Sequence, residues 1–289
     1  MLLYRSAAWF AKGLRDYTTR LFPDPYGHLF CGSAASRSGY ESASKDFVPE
    51  DLEVQVPGRA FMVTGGNSGI GKATATEIAK RGGTVHLVCR DQNRAEGARG
   101  EIIRETGNQN IFLHIVDLSD PKTIWKFVEN FKEEHTLNVL INNAGCMVNK
   151  RELTEDGLEK NFATNTLGVY VLTTALIPVL EKEHDPRVVT VSSGGMLVQK
   201  LNTDDLQSER TAFDGTMVYA QNKRQQVVLT EQWARAHPAI HFSCMHPGWV
   251  DTPDRKPVPT HLPLARTSSS PAEEEKLIEI LEELAQRFK

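Results

Sequence analysis

Between Arg59 and Met245 the chain repeats one pattern, a short apolar run followed by a longer amphipathic segment. The runs fall at Ala60–Thr64, Thr84–Cys89, Ile111–Val116, Val139–Asn142, Arg187–Val191 and His241–Met245. Strands that alternate with helices build a parallel sheet covered on both faces, joined by right-handed crossovers. The fold class is therefore α/β, a doubly wound parallel sheet. At 289 residues the length alone allows two domains, but the pattern defines one main unit over residues 58–253, with 1–57 before it and 254–289 after it.

Composition narrows the partners. The balance of 33 Lys+Arg against 37 Asp+Glu, net charge −4, supplies no overall positive face for phosphate backbones, which argues against nucleic acid. No apolar stretch approaches the roughly 18 to 20 residues of a spanning helix. Cys31, Cys89, Cys146 and Cys244 are scattered and form no CxxC pair, so neither a metal site nor a disulfide framework is read from them. With no secretory signal pattern, the expected location is intracellular, cytoplasmic or organellar.

The first twenty residues place Leu3, Ala7, Phe10, Leu14 and Tyr17 at helical spacing, with Arg5, Lys12, Arg15 and Arg20 against the single acid Asp16. Three readings of this basic amphipathic helix stay open: a peripheral membrane contact, a mitochondrial-type import signal, or a helix packed on the main domain. The stretch up to residue 57, with Pro23, Pro25, Gly27, Gly32 and Gly39, reads as linker.

The first strand runs into Gly65-Gly66-Asn67-Ser68-Gly69-Ile70-Gly71, and a helix is expected from Lys72 to Arg81. Glycine allows positive φ and close approach of the backbone to a pyrophosphate, which free N–H groups at a helix start can hold. Gly65, Gly69 and Gly71, with Asn67, Ser68 and Ile70 between them, are therefore assigned to a dinucleotide. Arg90 follows the second strand, where such folds choose between a ribose hydroxyl and a 2′-phosphate; with Lys72 it favours NADP(H), and NAD is the alternative, since Asp91 is adjacent. Asp117 and Leu118, after the third strand, lie where an adenine would rest.

Asn142-Asn143-Ala144-Gly145 and Val191-Ser192-Ser193-Gly194 close the fourth and fifth strands, at the carboxyl ends where open α/β sheets bind ligands. Tyr219 and Lys223 stand four apart in the helical segment 218–235 and so share a face.

With TGGNSGIG, NNAG, VSSGG, YAQNK and HPGWVDT in this order over about residues 58 to 253, the chain resembles the short-chain dehydrogenase/reductase family and its retinol-dehydrogenase-like branch. The resemblance implies a Rossmann-type sheet and a catalytic tetrad of Asn165, Ser193, Tyr219 and Lys223. In that scheme Tyr219 is the proton donor in reduction and the base in oxidation. Lys223 favours the phenolate and holds the nicotinamide ribose. Ser193, rather than Ser192, holds the substrate oxygen, Asn165 fixes a water that connects the lysine to solvent, and Asn143 and Thr252 belong to the cofactor site. It also implies an alcohol or carbonyl as the small-molecule substrate, of apolar type, and a homodimer through the helices after Asn165 and around Tyr219.

After Thr252 the sequence departs from the family. Asp254 to Pro259 and the Pro/Ser/Thr-bearing stretch to Ser270 disfavour a central strand, so the sheet is expected to lack its final edge strand. A last helix begins at Pro271, with Ser270 as N-cap, Glu273 completing a capping box, and Leu277, Ile280, Leu281 and Leu284 on one stripe. The sequence is thus read as a shortened enzyme. The alternative is a catalytically weak or inactive nucleotide-binding or interaction protein with an incomplete substrate pocket.

Overall fold

A computed structural model describes Lys45, residues 53–248 and residues 267–289. The N-terminal amphipathic segment, most of the linker, Thr252 and the stretch expected to replace a closing strand lie outside these residues.

Six strands, β1 (Ala60–Thr64), β2 (Thr84–Cys89), β3 (Ile111–Ile115), β4 (Val139–Asn142), β5 (Arg187–Val191) and β6 (His241–Met245), form one parallel sheet in the order β3-β2-β1-β4-β5-β6. The order reverses between β1 and β4, which opens a crevice at their carboxyl ends. Central strands β2 and β4 are buried almost throughout, as a sheet covered on both faces requires. Among the described residues, the large apolar side chains that the strands expose are Phe112 and Ile115 of the edge strand β3. Among the described residues the sheet ends at β6, which pairs with β5.

One face of the sheet carries α1 (Gly69–Lys80) and α2 (Gln92–Thr106), which pack Ala75, Ala79, Ala95 and Ile102 against Val63, Leu87 and Ile141. The opposite face carries α3 (Pro121–Glu134), α4 (Lys160–Leu180) and α5 (Gly215–Ala236) around Met62, Leu140 and Val188. Although α4 is long and apolar enough to cross a membrane, its most apolar window is 83% buried inside the protein. It is the central core helix, and Gly168 lets it press on the loop after β3, where any side chain would strike the Leu118 carbonyl.

The last helix, α6 (Pro271–Arg287), starts with the anticipated capping box: Ser270 Oγ accepts from the Glu273 N–H, and Glu273 Oε2 accepts from the Ser270 N–H at 2.8 Å. Its buried stripe is Leu277, Leu281, Ala285 and Phe288, joined by Glu274, with Ile280 and Leu284 only half-buried. It lies across α4 and α5, where Tyr170 Oη donates to Glu282 at 2.6 Å and Gln232 Nε2 donates to Glu274 at 2.6 Å, and Trp125 of α3 donates to the Ala285 carbonyl at 3.2 Å. The chain's own helix therefore covers part of the surface that the resemblance assigned to a homodimer, so pairing through α4 and α5 would have to use what α6 leaves free.

Candidate active site

The glycine turn leads from β1 straight into α1, which begins at Gly69, three residues before the sequence had suggested. Gly65 and Gly69 take φ values of 66° and 51°, the left-handed region that glycine enters without strain. A side chain on Gly71 would strike the Gly65 carbonyl and come within 2.5 Å of Asn143 Nδ2. Ser68 occupies the N-cap position but makes no side-chain cap bond, so it leaves the first N–H groups of α1 for another acceptor. A tight turn of this shape in front of an uncapped helix fits the pyrophosphate of a dinucleotide.

Neighbouring groups brace this cradle. Thr64 Oγ1 accepts from the N–H groups of Asn143 at 3.0 Å and Ala144 at 2.9 Å, while Asn143 Nδ2 donates to the Thr64 carbonyl at 2.9 Å. Asn143 thus ties the ends of β1 and β4 together with its side chain. Arg90 is exposed at the end of β2. Asp91, which by position competes with a 2′-phosphate, instead caps α2, its Oδ1 accepting from the Arg94 N–H at 2.9 Å. Lys72 is ion-paired with Glu101 of α2, which weakens its expected part in phosphate binding. Asp117 Oδ1 accepts from the N–H and hydroxyl of Ser119, each at 2.8 Å, and Leu118 is buried beneath it.

Asn165, Ser193, Tyr219 and Lys223 converge at the carboxyl ends of β4 and β5. Lys223 is buried, with Nζ 5.4 Å from the Tyr219 ring centroid, and donates to the Val191 carbonyl at 2.8 Å and to Gln226 Oε1 at 3.1 Å. Burial pulls its pKa down to about 8. Burial also pushes the Tyr219 phenol above its ordinary value, and a hydrogen bond with Ser193 opposes that rise. Ser192 points the other way, its hydroxyl donating to the Lys223 carbonyl at 2.8 Å. Of the two serines, then, only Ser193 faces the phenol.

Asn165 sits in a π-turn, Ala163–Leu167, inside α4. The extra residue in that turn swings its amide out of the helix ladder, a device found at many functional sites. Its Oδ1 accepts from the Cys146 N–H at 2.9 Å and its Nδ2 donates to the Cys146 carbonyl at 2.8 Å and to Asn222 Oδ1 at 3.2 Å. The Asn165 carbonyl accepts from Gln226 Nε2 at 2.7 Å. Gln226 links Lys223 to the Asn165 carbonyl, one amide bridging both. Asn222 and Gln226 were not among the sequence candidates. Their spacing around Lys223 on α5 is a signal, but polar residues on a helix ordinarily read as solvated, and only the packing reveals that both are buried.

The fold and this site define a nicotinamide-dependent oxidoreductase of the doubly wound class. Residues 59–262 match the family model for short chain dehydrogenases, and the chain belongs to that family. It is an enzyme class that interconverts alcohols and carbonyls with NAD(P). The chain is 76% identical to dehydrogenase/reductase SDR family member 12 of Bos taurus, over 335 aligned positions that cover 100% of both chains. It is 38% identical to retinol dehydrogenase 12 of Mus musculus over 68% of this chain and 63% of that one. Among solved structures, L-sorbose reductase of Gluconobacter frateurii, complexed with NADPH and L-sorbose, shares the fold with a TM-score of 0.58 at 21% identity, covering 70% of this chain and 73% of that one.

Proposed function

We propose that this chain is an NADP(H)-dependent oxidoreductase acting on an apolar alcohol or carbonyl, in which Tyr219, Lys223, Ser193 and Asn165 form the catalytic group. The observation that carries the reading is the convergence of Ser193 on the Tyr219 phenol, with Lys223 buried one helical turn away, beside a glycine cradle in front of an uncapped helix. Nicotinamide, when bound in this crevice, would provide the hydride donor or acceptor. In the reductive direction Tyr219 gives its proton to the substrate oxygen, which Ser193 holds through a hydrogen bond that strengthens as negative charge develops. The Lys223 ammonium stabilises the resulting phenolate, and Gln226 together with the Asn165 carbonyl fixes the position of that ammonium. Gly65, Asn67, Ser68, Gly69, Ile70 and Gly71 would hold the pyrophosphate, Asp117 and Leu118 the adenine side, and Thr252, by resemblance, the nicotinamide or diphosphate side, with Asn143 setting the width of the crevice.

The choice of NADP(H) rests on Arg90, exposed where a 2′-phosphate would lie, and on the commitment of Asp91 to capping α2. NADPH is also the cofactor in the L-sorbose reductase complex. The apolar substrate follows from the retinol dehydrogenase relatives, and an intracellular location from the free thiols of Cys89, Cys146 and Cys244. The test is nucleotide binding followed by fluorescence. Arg90→Ala is expected to weaken NADPH by roughly 10- to 100-fold, the worth of one charge-assisted contact, and to leave NADH nearly unchanged. Equal losses for both nucleotides would reject the assignment.

A second reading, nucleotide binding with weak or no turnover, is favoured by one observation. With 335 aligned positions against 289 residues, at least 46 positions of the bovine relative face a gap in this chain. If the gap removes substrate-covering segments, NADPH binds but a broad carbonyl panel shows no oxidation.

A further inference from the structure

The geometry points to a second site, on the sheet face under α3: His86, His114 and His135 form a three-imidazole binding site for a zinc-class divalent cation. His86 on β2 and His114 on β3 lie on the same face of the sheet, since His86 is in register with Phe112 and Val88 with His114. His135 is the C-terminal cap of α3, which covers that face. Sequence spacing gives no hint of the group, because its members come from three separate elements. One ligand nitrogen from each lies within 4.8 Å of the other two, and His86 Nδ1 and His114 Nε2 are already 3.0 Å apart.

Tetrahedral zinc with nitrogen ligands at about 2.0–2.1 Å spaces those nitrogens about 3.4 Å apart. The His86–His114 pair is at that scale, and His135 has to close by at most about 1.4 Å. As the half-buried residue that ends a helix, His135 is the member that would turn toward the pair. The site is walled by Phe131, 5.0 Å from His86 between ring centroids, and by Phe127, 5.0 Å from His114, a dry shell that strengthens metal–imidazole bonds. The Glu134 carboxylate, 3.9 Å from His135 Nε2, can orient that ring. Imidazole-only ligation selects zinc, copper or nickel over calcium and magnesium. A cation here would clip β2 and β3 to the end of α3 and leave the fourth position to water. Its part would be structural, since the three imidazoles lie on β2, β3 and the end of α3, to one side of the sheet from β4 and β5, whose carboxyl ends carry the tetrad.

The experiment uses the full chain after chelator treatment, titrated with zinc against a chromophoric chelator and then with cobalt(II). The inference expects one equivalent of zinc, a raised thermal midpoint and a visible cobalt spectrum without a thiolate charge-transfer band, which separates this site from the cysteines. His135→Ala and His114→Gln should each weaken binding by at least roughly tenfold, the scale seen even for outer-shell partners. If His114→Gln fails to fold by circular dichroism, the half-exposed His135→Ala decides alone. Failure to bind one equivalent, a thiolate band, or zinc affinity unchanged in His135→Ala would overturn the assignment.

Discussion

Gln226 has the most to say at the level of single residues, because its one amide joins the Lys223 ammonium to the Asn165 carbonyl. Lys223 holds its charge in a buried position, with a pKa drawn down to about 8. Losing an acceptor there disfavours the charged form further. Gln226→Leu is therefore expected to move the basic limb of the kcat–pH profile down by about one unit, the worth of one hydrogen bond to a charged group, which lowers kcat about twofold at pH 7 and about fivefold at pH 8. A purely structural role would lower activity at every pH and leave the limb in place. At this scale the sequence made much of the site legible, because glycine spacing and the Tyr219–Lys223 interval follow from backbone geometry alone. It left Asn222 and Gln226 unread, because burial of a polar side chain is decided by what packs over it. Its choice of Ser193 over Ser192 came from the resemblance alone, and the path of the chain after Val191 is what turns Ser192 toward the Lys223 carbonyl and Ser193 toward the phenol.

Among the elements, α6 shows how local signals and packing combine. Ser270, Pro271 and Glu273 announce its start, and the structure keeps every one of those roles. Its docking face depends on α4 and α5, so Ala285 and Phe288 enter the buried stripe while Ile280 and Leu284 sit at its edge. Leu281 is fully buried between α6 and the core, and Leu281→Ala is expected to destabilise the chain by about 2–5 kcal/mol in urea unfolding. Glu279→Ala, at an exposed position of the same helix, should stay within about 0.5 kcal/mol. Equal, small effects would mean that α6 does not dock as described. The π-turn in α4 is the element the sequence concealed. Ala163 to Leu167 carries no propensity for it, and the cross-links from Asn165 to Cys146 impose it. The start of α5 moved in the same way, to Gly215, because Asp214 caps it and only glycine clears the Val148 carbonyl, 2.5 Å from where a Cβ would stand.

For the whole molecule, three buried imidazoles couple stability to pH. Burial lowers His86 to about 3 and both His114 and His246 to about 4, from 6.5 in the unfolded chain. Between those values the unfolded chain binds more protons than the folded one, so stability is full above about pH 6.5 and falls as pH drops toward 4. With chelator present, the thermal midpoint is expected to decline from pH 7 to 5, before most carboxylates titrate, and to decline less steeply in His114→Phe. An identical slope in that variant would remove the imidazoles as the cause. The central claim concerns the carboxyl ends of β4 and β5, where Tyr219 is proposed to move a proton beside a dinucleotide. Its most direct test compares oxidation of NADPH by a panel of apolar carbonyls in the unaltered chain and in Tyr219→Phe, with NADPH binding measured on both. The account predicts equal binding and a loss of turnover of roughly 100- to 10,000-fold in the variant; turnover that survives the loss of the phenol hydroxyl would contradict it.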